Sequence, residues 1–286
     1  MQTIQKQLCE NYKTYLQQLG YSKTSVNALP ACLLDFLQYT GVTEVKEISS
    51  SQIQRFYEYL KRRKSKRKKT ALSESYIHQN IYALRVFFTY QEQTGELRHN
   101  PISSLKFKPP KINTRQPLSR EEIALLFEAA CDHKEIAVLH LFYSCGLRRT
   151  EAENLNAKDI HFNKKLLYIR QGKGAKRRVI PINEKIKKAL KAYLIKERAT
   201  INEEAFILNT RNTRMSGQGY NKALKEIITR TELNQEISLH HLRHSIATHL
   251  LENGLGIEYV RDFLGHSHLE ATQIYAKVNK HQLKKL

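Results

Sequence analysis

The sequence has no long apolar run, few cysteines and a shortage of acidic residues. No stretch approaches the roughly eighteen consecutive apolar residues that a membrane-spanning helix needs, so we expect no membrane partner. The first residues, MQTIQKQLCENYKTYL, lack the apolar core of a secretory signal, which favours a cytoplasmic protein. The cysteines, Cys9, Cys32, Cys131 and Cys145, are scattered without a C-x-x-C pair, so we expect reduced thiols without a metal.

The shortage of acidic residues makes the chain strongly basic. It has 48 Lys and Arg against 27 Asp and Glu, a formal net charge of +21 over 286 residues. A surface this basic needs a polyanion, and nucleic acid and an acidic membrane are the two usual candidates. The hydrophobic content of 41% is sufficient for one or two domains with real cores.

The first hundred residues show apolar residues at helical spacing. This spacing predicts a small bundle of four helices: Gln2 to Leu19, Ser22 to Gly41, a third opened by Ser49 to Ser51, and one from Ser73 to Gly95. Pro30 is expected to kink the second helix.

Between the third and fourth predicted helices the sequence reads KRRKSKRKKT, with eight basic residues in nine positions. A solvated loop is the ordinary interpretation of such a run, but like charges repel one another unless an anion screens them. We therefore predict an element that contacts phosphates and adds affinity without base specificity. Its residues are Lys61, Arg62, Arg63, Lys64, Lys66, Arg67, Lys68 and Lys69.

A proline-rich basic stretch without apolar periodicity follows, and it is typical of a linker. We predict a helical domain over 1–107, a linker over 108–117 and a second domain over 118–286. In the second domain the capping box at Ser119 opens a helix. Further predicted elements are a helix over 135–144, strands over 166–170 and 178–182, a helix from Asn183 to about Arg198, a strand over 206–208 and a helix over 216–230.

The residues that point to chemistry lie near the carboxy terminus. His240 and Arg243 are three apart on a predicted helix, and a short helix from Ile257 to Leu264 is followed by Gly265 and His266; Tyr275 stands nine residues further on. A guanidinium can fork onto two phosphate oxygens, imidazoles can donate to the phosphate or move protons, and a phenol can attack phosphorus. This set predicts phosphoryl transfer.

Two earlier positions fit the same chemistry. Arg148 follows Gly146 at a turn into a new helix, close to the positive end of that helix. Lys173 lies between two glycines at the tip of the predicted hairpin, where a mobile ammonium can hand over a proton.

The order of these motifs resembles the tyrosine site-specific recombinases of the phage integrase family, most closely the Xer-like members. The motifs are Gly-Leu-Arg148 with Glu151 three residues later, Gly-Lys173-Gly, His240-x-x-Arg243, Leu-Gly-His266 and Gln-Ile-Tyr275. The resemblance implies a mainly α protein: a helical core-binding (SAM-like) domain and an α-rich mixed α/β catalytic domain with a small antiparallel sheet, the fold shared with type IB topoisomerases. It implies DNA cleavage and rejoining through a covalent 3′-phosphotyrosine, without ATP or metal, by a tetramer on two double-stranded DNA sites.

The roles of the residues follow from charge and proton accounting on the positions that match the family. Tyr275 is the expected nucleophile, activated by His240 as the base, and Lys173 is the expected acid for the leaving 5′ oxygen. The negative charge that builds on the phosphate is neutralised by two arginines with help from an imidazole: Arg148, Arg243 and His266. Glu151 is expected to orient one of these arginines or imidazoles.

Three alternatives are open at this point. His240 and His244 lie four residues apart on a helix, as some zinc ligands do, but no acidic or cysteine partner accompanies them and Arg243 lies between them. We therefore expect no metal and no other cofactor. A type IB topoisomerase would use the same chemistry to relax DNA, and a DNA-binding regulator would keep the fold with an inactive site.

Overall fold

The computed structural model describes residues 2–65, 69–110, 116–170, 177–198 and 201–265. The chain separates into two compact units, Met1–Asn113 and Thr114–Leu286. The elements are helices and one small antiparallel sheet, so the predicted mainly α class is confirmed. The predicted linker over 108–117 lies partly outside the described residues, and the predicted domain limits stay predictions.

Four α-helices form the described part of the first unit: α1 (Gln2–Gln18), α2 (Lys23–Thr40), α3 (Ser50–Arg62) and α4 (Glu74–Gln93). Three of them begin after a serine whose side chain accepts a backbone N–H three residues later, as N-caps do: Ser22, Ser49 and Ser73. These helix starts were predicted from the sequence. α2 runs from Lys23 to Thr40 with Pro30 buried inside it.

Aromatic side chains fill the core of this bundle. Phe36 from α2 contacts Phe56 from α3 and Phe88 from α4, with ring centroids 5.2 and 6.4 Å apart. Tyr12 from α1 lies edge-on to Phe87, and its hydroxyl donates to the carbonyl oxygen of Ala83 at 3.0 Å. Each helix therefore contributes to one core, and the hydroxyl of the buried tyrosine is satisfied.

The second unit contains seven α-helices in its described part: α5 (Arg120–Glu128), α6 (His133–Leu139), α7 (Arg149–Glu153), α8 (Glu184–Lys196), α9 (Gly217–Ile228), α10 (Leu239–Glu252) and α11 (Ile257–Leu264). The capping box predicted at Ser119 is present at the start of α5. Asn183 and Ser216 cap α8 and α9 with side-chain oxygens that accept the amides of Ile186 and Gly219, so the predicted starts of these helices are also correct.

The sheet is a three-stranded antiparallel meander, β1 (Ile160–His161), β2 (Leu166–Ile169) and β3 (Arg178–Pro181). Leu167 on β2 lies opposite Ile180 on β3, and both are fully buried. The predicted hairpin strands are thus present, and β1 was not predicted because it is only two residues long.

The strand predicted over 206–208 is wrong. The segment forms only isolated antiparallel β-bridges among the described residues, between Asn156 and Ala205 and between Leu208 and Arg214. Its amides donate to scattered acceptors, among them the carbonyl oxygen of Leu155 and the hydroxyl of Tyr193. The β-rich composition therefore reflects burial beside loops rather than a continuous ladder.

The helix predicted over 135–144 changes type part-way. After α6 the chain forms a π-helical turn, His140–Ser144, in which the amide of Cys145 donates to the carbonyl oxygen of His140 at 2.8 Å. The His140 ring is buried, which together with the charge of Lys185 lowers its pKa to about 4, and its Nδ1 lies 2.8 Å from the Ser144 hydroxyl. The wider turn shifts the register of the chain directly before Gly146 and Arg148.

Candidate active site

Gly146 sets the course of the chain into the site. Its φ of +58° lies in the left-handed region, and a Cβ placed there would be 2.9 Å from Leu264 Cδ2 and 3.2 Å from Phe263 Cε1. Both the backbone conformation and the space therefore require glycine. The consequence is that the turn before Arg148 packs directly against the end of α11.

Arg148 is the N-cap residue of α7 and lies in extended conformation. Its amide donates to Glu151 Oε2 at 2.7 Å and its Nη1 to Glu151 Oε1 at 2.8 Å. Its Nη2 donates to the carbonyl oxygen of Gly265 at 2.8 Å, and the side chain remains 23% exposed. The guanidinium is thus held on one side and open to solvent on the other.

Arg243 reaches the same place from α10. It is 3% exposed, and it donates to the carbonyl oxygen of Gly146 and, at 2.7 Å, to that of Leu264. Its Nη1 lies 4.0 Å from Glu151 Oε2. The structure therefore brings together Arg148, Glu151 and Arg243, three predicted site residues that are far apart in sequence.

Glu151 has a fully buried side chain at the centre of this group. Burial alone would raise its pKa, but the hydrogen bonds and charge of Arg178, and then the amide and guanidinium of Arg148, lower that pKa to about 2. The carboxylate stays ionised at neutral pH. The prediction that Glu151 orients an arginine agrees with these contacts, although its role in the reaction stays a prediction.

Arg178 is the residue of this group that the sequence reasoning missed. Its Nη1 and Nη2 donate to the two Glu151 oxygens at 2.6 and 2.8 Å, and its side chain is 9% exposed. Strand alternation could have found it, because Arg178 lies two residues before the buried Ile180 and therefore on the same face of β3.

His240 is an exposed residue in the first turn of α10, one turn before Arg243. Its neighbour His241 completes a capping box, with Nδ1 accepting the amide of Ser238 at 3.0 Å. The other predicted catalytic residues, Lys173, His266 and Tyr275, lie outside the described residues. Gly265, at φ +64°, caps α11 directly before His266, and its carbonyl oxygen is the one that Arg148 holds.

The basic segment of the first unit divides into two kinds of residue. Lys61, Arg62, Lys64 and Lys69 are exposed, whereas Lys66, Arg67 and Lys68 lie outside the described residues. The chain begins to fold back on itself here, because Lys64 bridges to Ala71 and the Ser65 amide donates to the carbonyl oxygen of Thr70 at 2.7 Å.

Arg63 differs from the rest of this segment. Its guanidinium pairs with both oxygens of Asp35 on α2 at 2.7 Å and lies 5.4 Å from the centre of the Tyr59 ring. The hydrogen bonds to Asp35 raise the pKa of Arg63. This arginine therefore anchors the segment to the bundle, a use that the charge pattern did not indicate.

Among the residues that the structure describes, no group of three or more His, Cys, Asp or Glu side chains is arranged to hold a metal ion. No described helix is long and apolar enough to cross a membrane.

Residues 116–282 match the model of the phage integrase family. The chain belongs to the phage integrase family. It is 32% identical over 286 residues to tyrosine recombinase XerA of Thermococcus onnurineus, covering 98% of this chain and 93% of the relative. It is 30% identical over 263 residues to tyrosine recombinase XerC of Oceanobacillus iheyensis, covering 87% and 83%.

Solved structures of integrase-family proteins share the fold. A Tn1549 transposon integrase in complex with circular intermediate DNA superposes with a TM-score of 0.74 at 19% identity, covering 94% of each chain. XerH recombinase bound to palindromic difH substrate gives 0.73 at 21% identity, covering 96% of this chain and 83% of that one. The predicted Xer-like tyrosine recombinase fold and enzyme class are confirmed, and the function is site-specific recombination; the topoisomerase and regulator alternatives are not favoured.

Proposed function

We propose that this recombinase cleaves and rejoins duplex DNA through a covalent 3′-phosphotyrosine on Tyr275, using Arg148, Lys173, His240, Arg243 and His266. The observation that supports this most is the arrangement of Arg148 and Arg243 around one buried carboxylate, Glu151, beside the backbone of Leu264 and Gly265. The next residue along the chain is His266.

The charge of this group suits the transition state. Attack on a phosphodiester concentrates negative charge on the non-bridging oxygens, and preorganised cations stabilise that charge. Arg148 has two of its five guanidinium N–H groups in hydrogen bonds to described residues and is partly exposed. The remaining donors can meet phosphate oxygens without moving the anchored side of the group.

The proton transfers fall to residues outside this buried group. A tyrosine with a solution pKa of about 10 is a weak nucleophile at neutral pH until a base accepts its proton. His240, exposed one helical turn from Arg243, is the base in this proposal. Lys173, which lies between β2 and β3 in the sequence, protonates the leaving 5′ oxygen.

The DNA is held in part by the basic segment. Lys61, Arg62, Lys64, Lys66, Arg67, Lys68 and Lys69 contact phosphates in this proposal, with Arg63 as their anchor. Structural relatives named as a lambda integrase dimer bound to a core site and as XerH bound to difH support a DNA partner. Four protomers would act on two sites, in the cytoplasm.

The experiment begins with a randomised duplex pool, from which sequences bound by the protein are selected. A nicked suicide duplex carrying a selected site then traps the adduct, which denaturing gels detect and peptide mass spectrometry assigns to Tyr275. Tyr275→Phe is the matched control and should bind equally without an adduct. On a circular DNA molecule that carries two selected sites, the wild-type protein should give recombinant product. Relaxation without recombination would favour the topoisomerase, and binding without any adduct would favour the regulator.

A further inference from the structure

Arg178 is built into the candidate site as tightly as the predicted residues are. Besides its two hydrogen bonds to Glu151, its stem packs against Gly265, where a Cβ would lie 3.0 Å from Arg178 Cδ and 3.1 Å from Nη1. Its Nε is buried and has no hydrogen-bond partner among the residues that the structure describes. An unsatisfied buried donor is costly, so the placement of this side chain calls for an explanation.

The charge balance shows what Arg178 contributes. Three guanidinium groups, from Arg148, Arg178 and Arg243, surround the one carboxylate of Glu151 and leave two net positive charges. Without Arg178 the carboxylate would offset one of the other two arginines, and a single net positive charge would remain for the phosphate. Arg178 therefore satisfies Glu151, so that Glu151 can orient Arg148 without cancelling its charge.

Arg178 also connects the site to the hairpin. It is the first residue of β3, it pairs in register with Ile169 at the end of β2, and Lys173 lies in the chain between these two strands. The ion pair with Glu151 therefore holds the start of β3 against the same carboxylate that binds Arg148.

We propose that Arg178 is a positioning residue of the recombination reaction: its pair with Glu151 leaves the charge of Arg148 and Arg243 available to the scissile phosphate and fixes the start of β3, the strand that follows Lys173 in the sequence. The inference rests on the proposed phosphotyrosine chemistry. No contact of Arg178 with DNA is needed for it.

The test is a double-mutant cycle on the full-length protein. Arg178→Met, Glu151→Gln and the double variant are compared in single-turnover cleavage of the suicide duplex at saturating DNA. We expect Arg178→Met to slow cleavage by roughly tenfold to a hundredfold, the range for coupled residues in one hydrogen-bonded network, with DNA affinity changed less than about threefold. Removing the unpaired carboxylate in Arg178→Met/Glu151→Gln should recover about tenfold. Arg177→Met, at the exposed neighbouring arginine, is the matched control and should cleave within about threefold of wild type.

The outcomes separate this inference from the proposed function. A wild-type protein that binds the duplex and forms no adduct on Tyr275 refutes the function itself. A wild-type adduct together with normal cleavage by Arg178→Met, or a double variant whose losses multiply, refutes the role of Arg178. If Arg178→Met does not fold, Arg178→Lys decides the question. It keeps the charge and should retain about a tenth of the rate, and a folded Arg178→Lys below about a hundredth would overturn the inference.

Discussion

Gly146→Ala tests whether the packing of α11 against the turn before Arg148 holds the site together. The substitution places a side chain at φ +58° and puts its Cβ 2.9 Å from Leu264 Cδ2. A left-handed conformation costs a non-glycine residue about 1–2 kcal/mol, and overpacking adds about 1–3 kcal/mol. We therefore expect Gly146→Ala to destabilise the second unit by about 2–5 kcal/mol, a loss that a domain of ordinary stability survives.

Gly254→Ala is the matched control. Gly254 follows α10 in the same unit and has a φ of +83°, but no described residue lies within 4 Å of its added Cβ. Only the conformational term applies there, so the loss should be about 1–2 kcal/mol. The difference between the two variants isolates the cost of crowding Leu264 and Phe263.

Hydrogen exchange of the full-length protein, followed by mass spectrometry, measures both variants. Because each 1.4 kcal/mol corresponds to a factor of ten, protection of the slowest α10 amides should fall by about thirtyfold to several thousandfold in Gly146→Ala. Peptides from α1 to α4 serve as an internal reference. Equal losses of protection in the two variants would show that the contact with α11 does not limit stability, and the packing argument would fail.

Three further predictions concern charged and titratable groups. The folded pKa of Glu151 is about 2 against an ordinary 4.5, so its ionised carboxylate contributes to the free energy of unfolding above pH 4.5, and this contribution is lost as the pH falls toward 2. In urea unfolding, Glu151→Gln should therefore cost roughly 3 kcal/mol at pH 7 and almost nothing near pH 2. The folded pKa of His140 is about 4 against an ordinary 6.5, so neutral His140 stabilises the fold above pH 6.5, and that contribution is lost as the pH falls toward 4. His140→Gln should therefore reduce the stability lost between pH 7 and pH 5 by about 2 kcal/mol. The same dependence of unfolding free energy on pH in the variant and the wild type would contradict this. Arg63→Ala should destabilise the first unit by about 1–2 kcal/mol in thermal unfolding, because it removes the pair with Asp35. Lys64→Ala should leave stability within about 0.5 kcal/mol of wild type and lower the slope of log affinity for DNA against log salt concentration by about one. Similar stability losses in the two variants would contradict the anchoring role of Arg63.

The sequence predicted those parts of the fold that depend on local signals. Ser22, Ser49, Ser73 and Ser119 each sit before an apolar helical pattern, and each caps a helix in the structure. Local signals fail where the outcome depends on distant partners. The segment over 206–208 has strand composition, but the amide of Phe206 donates to the distant carbonyl oxygen of Leu155.

The π-helical turn His140–Ser144 shows a second limit. Its residues have the apolar spacing of an ordinary helix, and no residue type marks the change of register. The change is visible in the hydrogen bond from the Cys145 amide to the carbonyl oxygen of His140. Three residues of the turn, His140, Leu141 and Phe142, are buried, so their contacts are with the rest of the unit and cannot be predicted from local sequence.

The sequence predicted the candidate-site residues whose type and order match a motif. It missed the arginines that pair with a carboxylate inside the fold. Arg178 and Arg63 both look like ordinary surface arginines in their basic surroundings. Their partners lie 27 and 28 residues away along the chain, at Glu151 and Asp35. A run of like charges cannot show which member pairs with a distant carboxylate, because composition carries no information on that contact.

The placement of a carboxylate inside an anion-binding site follows from the geometry of arginine. A guanidinium is planar and rigid, so it binds phosphate well only if its orientation is fixed beforehand, and fixed acceptors are needed for that. For Arg148 and Arg243 these acceptors are one oxygen of Glu151 and three backbone carbonyl oxygens, those of Gly146, Leu264 and Gly265. Because the last carbonyls of a helix have no partner within it, the end of α11 is itself satisfied by the arginines that it orients. The same hydrogen bonds therefore hold the two arginines and the end of α11, so the orientation of Arg148 and Arg243 depends on the docking of α11, after which the chain continues to His266 and, nine residues later, Tyr275.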